Sequence, residues 1–222
     1  MYCAIIGDMV KSRELIDREL IQEKLKDILT EINEKYSSNI ASNFTITIGD
    51  EFQGLLKNPS NLMEIISRIK IAIYPLKLRF GIGFGRIDTK VIKELAIGSD
   101  GPAYHWARSA IKDVKSTESM KEIPESGIKI ITKSTKNNHD ELINSLFSFC
   151  YFIEKKWTAK QVEVIHKLLL KEQTQQALAS ELKIGQSSIQ RRLQGAGFIY
   201  YQNALQTIDS TLTNEWSEYA EH

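Results

Sequence analysis

The chain has 222 residues, 42% hydrophobic and 26% charged, with a formal net charge of +1. That length suits one large or two modest domains, and the balance excludes disorder, collagen and a coiled-coil rod. A nearly neutral chain is neither a basic nucleic-acid coat nor an acidic tail, so any basic surface must be local. Two cysteines, Cys3 and Cys150, cannot build a disulfide framework or a four-thiolate zinc site. His105, His139, His166 and His222 form no HExxH and no close pair. No apolar run approaches the ~20 residues that span a bilayer. The start, Met1 to Ile6, meets Asp8 without the basic stretch of a signal peptide. The expected location is the cytoplasm.

Tyr2 to Gly7 is an apolar run ending at Asp8, the form of a buried strand that leads into a polar loop. Leu25, Ile28, Leu29, Ile32 and Tyr36 recur at helical spacing, with Glu23, Lys24, Lys26, Asp27 and Glu31 on the outer face. Phe44, Ile46 and Ile48 alternate with Thr45 and Thr47, and Phe52 to Leu56 follows across Gly49-Asp50. A glycine at the first central position of a two-residue loop supplies the positive φ of a type II′ turn, so a hairpin is predicted. Ser60, after Pro59, opens a second helix through Leu62, Ile65, Ile66 and Ile69 that ends near Pro75.

Leu76, Leu78, Phe80, Ile82 and Phe84 then alternate with Lys77, Arg79, Gly81, Gly83 and Gly85. Three glycines on one face let something approach the backbone closely. A helix from Pro102 to about Val114 and a strand from Ile128 to Thr132 follow. The polar run Lys133 to Asp140 marks a boundary between a domain of residues 1–138 and one of residues 139–222. The order βαββαβαβ followed by helices implies a mixed sheet in an α+β fold.

The second region is helical. Thr158 caps an amphipathic helix to Leu170, Thr174 caps another to Leu182, and Gln186 to Gln194 forms a third after the turn Lys183-Ile184-Gly185. Leu178, Ala179, Leu182, Ile184, Ile189 and Leu193 supply a small core. The outer side of the third helix carries Gln186, Ser187, Ser188, Gln190, Arg191 and Arg192, a mixture suited to base edges and phosphates in the major groove of DNA. The stretch QQALASELKIGQSSIQRRL resembles the helix-turn-helix of bacterial regulators. Lys183 stands where such turns favour glycine for its positive φ.

Asp8, ending the first strand, and Asp50, at the hairpin tip, can converge at one end of the sheet. Paired carboxylates there hold hard divalent ions against a triphosphate. Glu51, one residue on, would point to the opposite face unless the turn twists it. Gly81 to Gly85 fails GxGxxG, because Arg86 stands at the third glycine position, and no GxxxxGK[ST] occurs, so dinucleotide and P-loop readings fall away.

Asp8 after a strand, Ile48-Gly-Asp-Glu-Phe52 on a hairpin, Leu78-Arg-Phe-Gly-Ile-Gly-Phe-Gly85 and Gly101-Pro-Ala-Tyr-His-Trp-Ala-Arg108 follow in the order of class III nucleotidyl cyclases. Over about residues 1 to 132 the chain resembles that family and the related GGDEF domains. With GDMVKSR and the helix-turn-helix, the whole resembles the SatD family. The resemblance implies a nucleotidyl-cyclase-like palm, with a ferredoxin-like mixed sheet, followed by an all-α helix-turn-helix domain.

It further implies that Asp8 and Asp50 bind Mg²⁺ or Mn²⁺ and that Lys11, Ser12 and Arg13 contact phosphate. Arg108 would be the catalytic arginine of a nucleotidyl cyclase or nucleotidyltransferase. Three positions depart from the cyclase pattern: Tyr104 replaces an Asn, Ile46 a base-selecting Lys, and Ile48 the first Gly of GGDEF. Together these features predict a bacterial DNA-binding regulator whose palm binds a nucleotide or a divalent ion, with a homodimer expected by analogy. A metal-dependent enzyme and a catalytically silent dimerisation scaffold are the alternatives.

Overall fold

The computed structural model describes residues 1–10, 17–47, 49–94, 96, 98–120, 126–132, 138–171 and 173–220. Five strands, β1 (Tyr2–Met9), β2 (Ile40–Ile46), β3 (Phe52–Leu56), β4 (Leu78–Gly85) and β5 (Ile128–Ile131), form one sheet in the order β2-β3-β1-β4-β5. All neighbours are antiparallel except β4 and β5. With α1 (Arg18–Lys35) and α2 (Leu62–Ile73), the first four strands make the split βαβ of a ferredoxin-like palm. α3 (Pro102–Met120) is the crossover that brings β5 in parallel to β4. This is the mixed sheet that the alternation of patterns predicts.

Period two sorts the strand side chains onto two faces. Cys3, Ile5, Phe52, Leu56, Phe80, Ile82 and Phe84 share one buried cluster with Leu25, Ile28, Leu29 and Ile32 of α1 and Leu62, Ile65, Ile66 and Ile69 of α2. Ala4, Ile6 and Leu55 meet Ala103, Tyr104, Ala107 and Ile111 of α3 on the other face. The close approach expected at the glycine face of β4 is made by α3. A Cβ on Gly81 would lie 2.1 Å from Ala107 O, and one on Gly83 would lie 2.2 Å from Ala103 O.

Five helices follow the sheet: α4 (His139–Glu154), α5 (Ala159–Lys171), α6 (Gln175–Glu181), α7 (Gln186–Gly195) and α8 (Phe198–Ala220). The Asn144 side chain accepts from Ile130 N at 2.9 Å and donates to Ile130 O at 3.0 Å, so α4 covers the open edge of β5. Ile143 and Phe147 of α4 and Ile208, Leu212 and Trp216 of α8 belong to the cluster under α1 and α2. The Phe84 and Trp216 rings meet edge to face at 5.2 Å. Ile208, Leu212 and Trp216, at helical spacing along α8, therefore pack on the palm. Among the described residues no helix is long and apolar enough to cross a membrane.

Several local expectations shift. α2 begins at Leu62 behind Asn61, because the Ser60 hydroxyl and N–H both turn back to Asn58 Oδ1. Thr47 N–H donates to Glu51 O at 2.8 Å, so the β2–β3 loop is one residue longer than a two-residue turn. The pairing of Thr45 with Gln53 and of Ile46 with Phe52 continues in the same register to that bond, while β2 shifts register further back, between Ile40 and Ser42 and between Ser42 and Thr45. Gly49 keeps the positive φ, at 67°. In the helical region Thr174 Oγ1 accepts from Ala177 N at 3.1 Å, a true cap, and Lys183 adopts φ 53° at the turn position where glycine is favoured.

Candidate functional site

Asp8 lies on the side of β1 that faces α3, with Ala4 and Ile6. Arg79 of β4 is its direct cross-strand partner, and Arg79 Nη1 sits 3.5 Å from Asp8 Oδ1. Lys115, one turn beyond Ile111 on α3, places Nζ 2.5 Å from Asp8 Oδ2. On the opposite flank the β1–β3 register pairs Gly7 with Phe52, so one step further sets Glu51 beside Asp8. Arg108 Nη1 of α3 lies 3.8 Å from Glu51 Oε1.

Glu51 thus points to the α3 side, together with Leu55. A row Glu51–Asp8–Arg79 crosses three strands, with Arg108 and Lys115 reaching it from the helix. Asp50 sits half-buried at the hairpin tip next to Gly49, whose carbonyl accepts from Gln22 Nε2 of α1 at 2.9 Å. Lys11, Ser12, Arg13 and Ile48 lie outside the described residues.

The sequence predicts Glu51 on the face opposite Asp50 unless the turn twists it, whereas Arg79 and Lys115 are not among its candidate site residues. Each of those two carries a signal. Arg79 stands two residues before Gly81 on the glycine face, and Lys115 continues the α3 stripe Ala103, Ala107, Ile111 at four-residue steps.

On α7, Ile189 and Leu193 turn inward to Val164, Ile165, Leu178 and Ala179. Gln186, Ser187, Gln190 and Arg191 are exposed, and Gln194 continues their face. Ser188 is half-buried, and its Oγ accepts from Arg191 Nη2 at 3.5 Å. Arg192 is set to the side, Nη1 3.8 Å from Glu163 Oε2 of α5.

The family model described as the SatD family matches residues 2–211. The chain belongs to the SatD family. No curated protein matches this SatD chain in sequence. Among solved structures it is similar to a bacterial light-regulated adenylyl cyclase, at 13% identity and TM-score 0.37, over 58% of this chain and 74% of that one. It is also similar to the guanylyl cyclase Cya2, at 12% identity and TM-score 0.36, over 49% of this chain and 68% of that one. The palm architecture of the SatD chain rests on its own strand order.

The charges decide what the SatD site can hold. Among the described residues no group of three or more His, Cys, Asp or Glu could hold a metal ion, and both oxygens of Asp8 already face cations of the same chain. A hard divalent ion takes six or more oxygens, several of them from carboxylates or water. This donor set does not fit a resident Mg²⁺ or Mn²⁺. Three cations beside two carboxylates fit an anion better, because phosphate oxygens can compete with Asp8 and Glu51 for Arg79, Arg108 and Lys115.

Tyr104, four residues before Arg108, is buried against the sheet, and burial pushes its hydroxyl above the usual phenol range. Its oxygen has no hydrogen-bond partner among the described residues. Tyr104 is therefore a packing residue between α3 and the sheet, while Arg108, four residues on, stays exposed at the rim.

Proposed function

We propose that this SatD-family chain is a DNA-binding regulator, with α7 entering the major groove and the palm rim responding to a nucleotide through its phosphates. The observation that carries the reading is the outer face of α7. Gln186, Gln190, Arg191 and Gln194 are exposed together, the helix contains no acidic residue, and exposed Lys183 precedes it in the turn. Amide side chains pair bidentately with adenine, and arginine pairs with guanine or clamps phosphate. Ile189 and Leu193 fix the rotation that presents this face.

The palm contributes the regulatory half. Nucleotide phosphates would draw Arg108 from Glu51, and Lys115 and Arg79 from Asp8, joining strands β1, β3 and β4 to α3 through one ligand. A ligand changes the DNA-binding state only as far as it binds one arrangement better. Fluorescence anisotropy with genomic fragments tests the reading: one fragment class should bind selectively, and added nucleotide should shift that affinity. Equal, weak binding to every fragment removes the regulator. Selective binding that no nucleotide shifts removes only the sensor.

A further inference from the structure

α4 turns Ile143, Phe147 and Cys150 inward and leaves a second apolar stripe outside. Leu142, Phe149 and Phe152 are 61%, 66% and 47% exposed. Ser145 and Lys156 are exposed on the same stripe. The steps from 142 to 145, 149, 152 and 156 alternate three and four residues, the a/d period of a two-helix seam. Two phenylalanines and a leucine in one exposed row mark a contact surface.

We propose that this face joins two copies of the chain, α4 packing antiparallel against α4 of a second copy about a two-fold axis. Two features of the helix choose this occupant and this direction. The first is size. With the axis at residue 147, Leu142 meets the partner's Phe152, and Ser145 meets the partner's Phe149. Each phenylalanine then faces a smaller side chain. Parallel packing would instead oppose Phe149 to the partner's Phe149 and Ser145 to the partner's Ser145, crowding one layer and leaving another empty.

The second feature is charge. Glu141 and Lys155, both exposed, flank the seam in the position just before its first and last residues. Antiparallel packing sets Glu141 beside the partner's Lys155, twice by symmetry. Fourteen residues of helix hold the two about 21 Å apart within one chain, so they cannot pair there. Asp140, the neighbouring acid, is already engaged by Thr132 Oγ1 at 2.6 Å and Thr132 N at 2.9 Å. At the other end Lys156 Nζ lies 3.7 Å from the Phe152 ring centre and closes the seam. Parallel packing would keep Glu141 and the partner's Lys155 fourteen residues apart along the seam, so that pair could not form. The proposal stands apart from the DNA reading, since it uses no residue of α6 or α7.

Sedimentation velocity of the full chain across a concentration series tests it. The wild type is expected to show a reversible monomer–dimer equilibrium. Phe149→Glu is expected to be monomeric, with an unchanged circular dichroism spectrum and the thermal midpoint that the wild type shows at concentrations where it too is monomeric, because the residue it replaces is exposed in the single chain. Glu141→Lys and Lys155→Glu should each weaken association about tenfold. The double variant Glu141→Lys/Lys155→Glu should recover it, because the pair re-forms with its signs exchanged. A wild type that stays monomeric, a dimer indifferent to Phe149→Glu, or a double variant no tighter than the single ones would each overturn the proposal.

Discussion

Lys115 Nζ lies 2.5 Å from Asp8 Oδ2, so the carboxylate at the end of β1 is neutralised by a helix of its own chain. The Asp8 side chain is 10% exposed and that of Lys115 is 42% exposed, which makes the pair asymmetric. Removing the lysine leaves an inner charge with Arg79 at 3.5 Å, whereas removing the acid leaves a cation that water can reach. Lys115→Met is expected to lower unfolding stability in urea by about 1–3 kcal/mol, and Asp8→Asn by less. Lys115→Met should also gain Mn²⁺ affinity in calorimetry, because one oxygen of Asp8 is then open to a cation. Equal losses from the two changes, with no gain in metal affinity, would remove this account of the rim.

Gly83 tests the contact between α3 and the sheet. A methyl group there would meet Ala103 O at 2.2 Å and Ala107 N at 2.3 Å, both backbone atoms that move only if the whole helix moves. Gly83→Ala is expected to cost about 2–4 kcal/mol and to displace Arg108 and Lys115 from their partners. Gly98 offers the steric control, since a Cβ there meets no atom of the described residues within 4 Å. Its φ of 90° adds only the local strain of a left-handed residue.

How far the sequence foretold these features depends on the range of the forces involved. The alternation from Leu78 to Gly85 exposed the two faces of β4, because period two is a local property of an extended chain. The φ of 53° at Lys183 was legible from its place in the turn. What covers the glycines was not, since Ala103 and Ala107 match Gly81 and Gly83 only in three dimensions. Glu51 comes beside Asp8 only through the pairing of Gly7 with Phe52, a register between two distant strands that no local pattern states. Lys115 joins Asp8 only once the position of α3 along the sheet is known.

Arg191 and Arg192 are adjacent in sequence but differ in setting. Arg191 is exposed on the outer face of α7, while Arg192 leans on Glu163 at 3.8 Å. Arg191→Ala is therefore expected to weaken binding to the preferred DNA fragment by about 1–3 kcal/mol and to relax its selectivity. Arg192→Ala should weaken binding less and equally across fragments, with a shallower salt dependence. Titrations of both variants at two salt concentrations separate base reading from phosphate contact.

Asp209 gives the chain a pH dependence with a defined sign. Its Oδ1, on α8, accepts from Met63 N at 3.0 Å and so caps α2, whose own Asn61 makes no side-chain cap bond. Burial raises its pKa to about 7, and nearby Glu64 adds to the rise, while the Met63 bond opposes it. The folded chain therefore holds this proton more tightly than the unfolded chain, in which an aspartate titrates near ~3.9. Below that value both states are protonated and the site contributes no pH dependence. Between about 4 and 7 stability falls as pH rises, and above 7 the full cost of ionising a buried carboxyl is present. Asp209→Asn keeps an oxygen that can accept from Met63 and carries no charge. It is expected to match the wild type at pH 4 and to be more stable at pH 8 by about 1–3 kcal/mol. Urea unfolding at the two pH values measures this difference, and a gain of equal size at both would assign the effect to packing instead of ionisation.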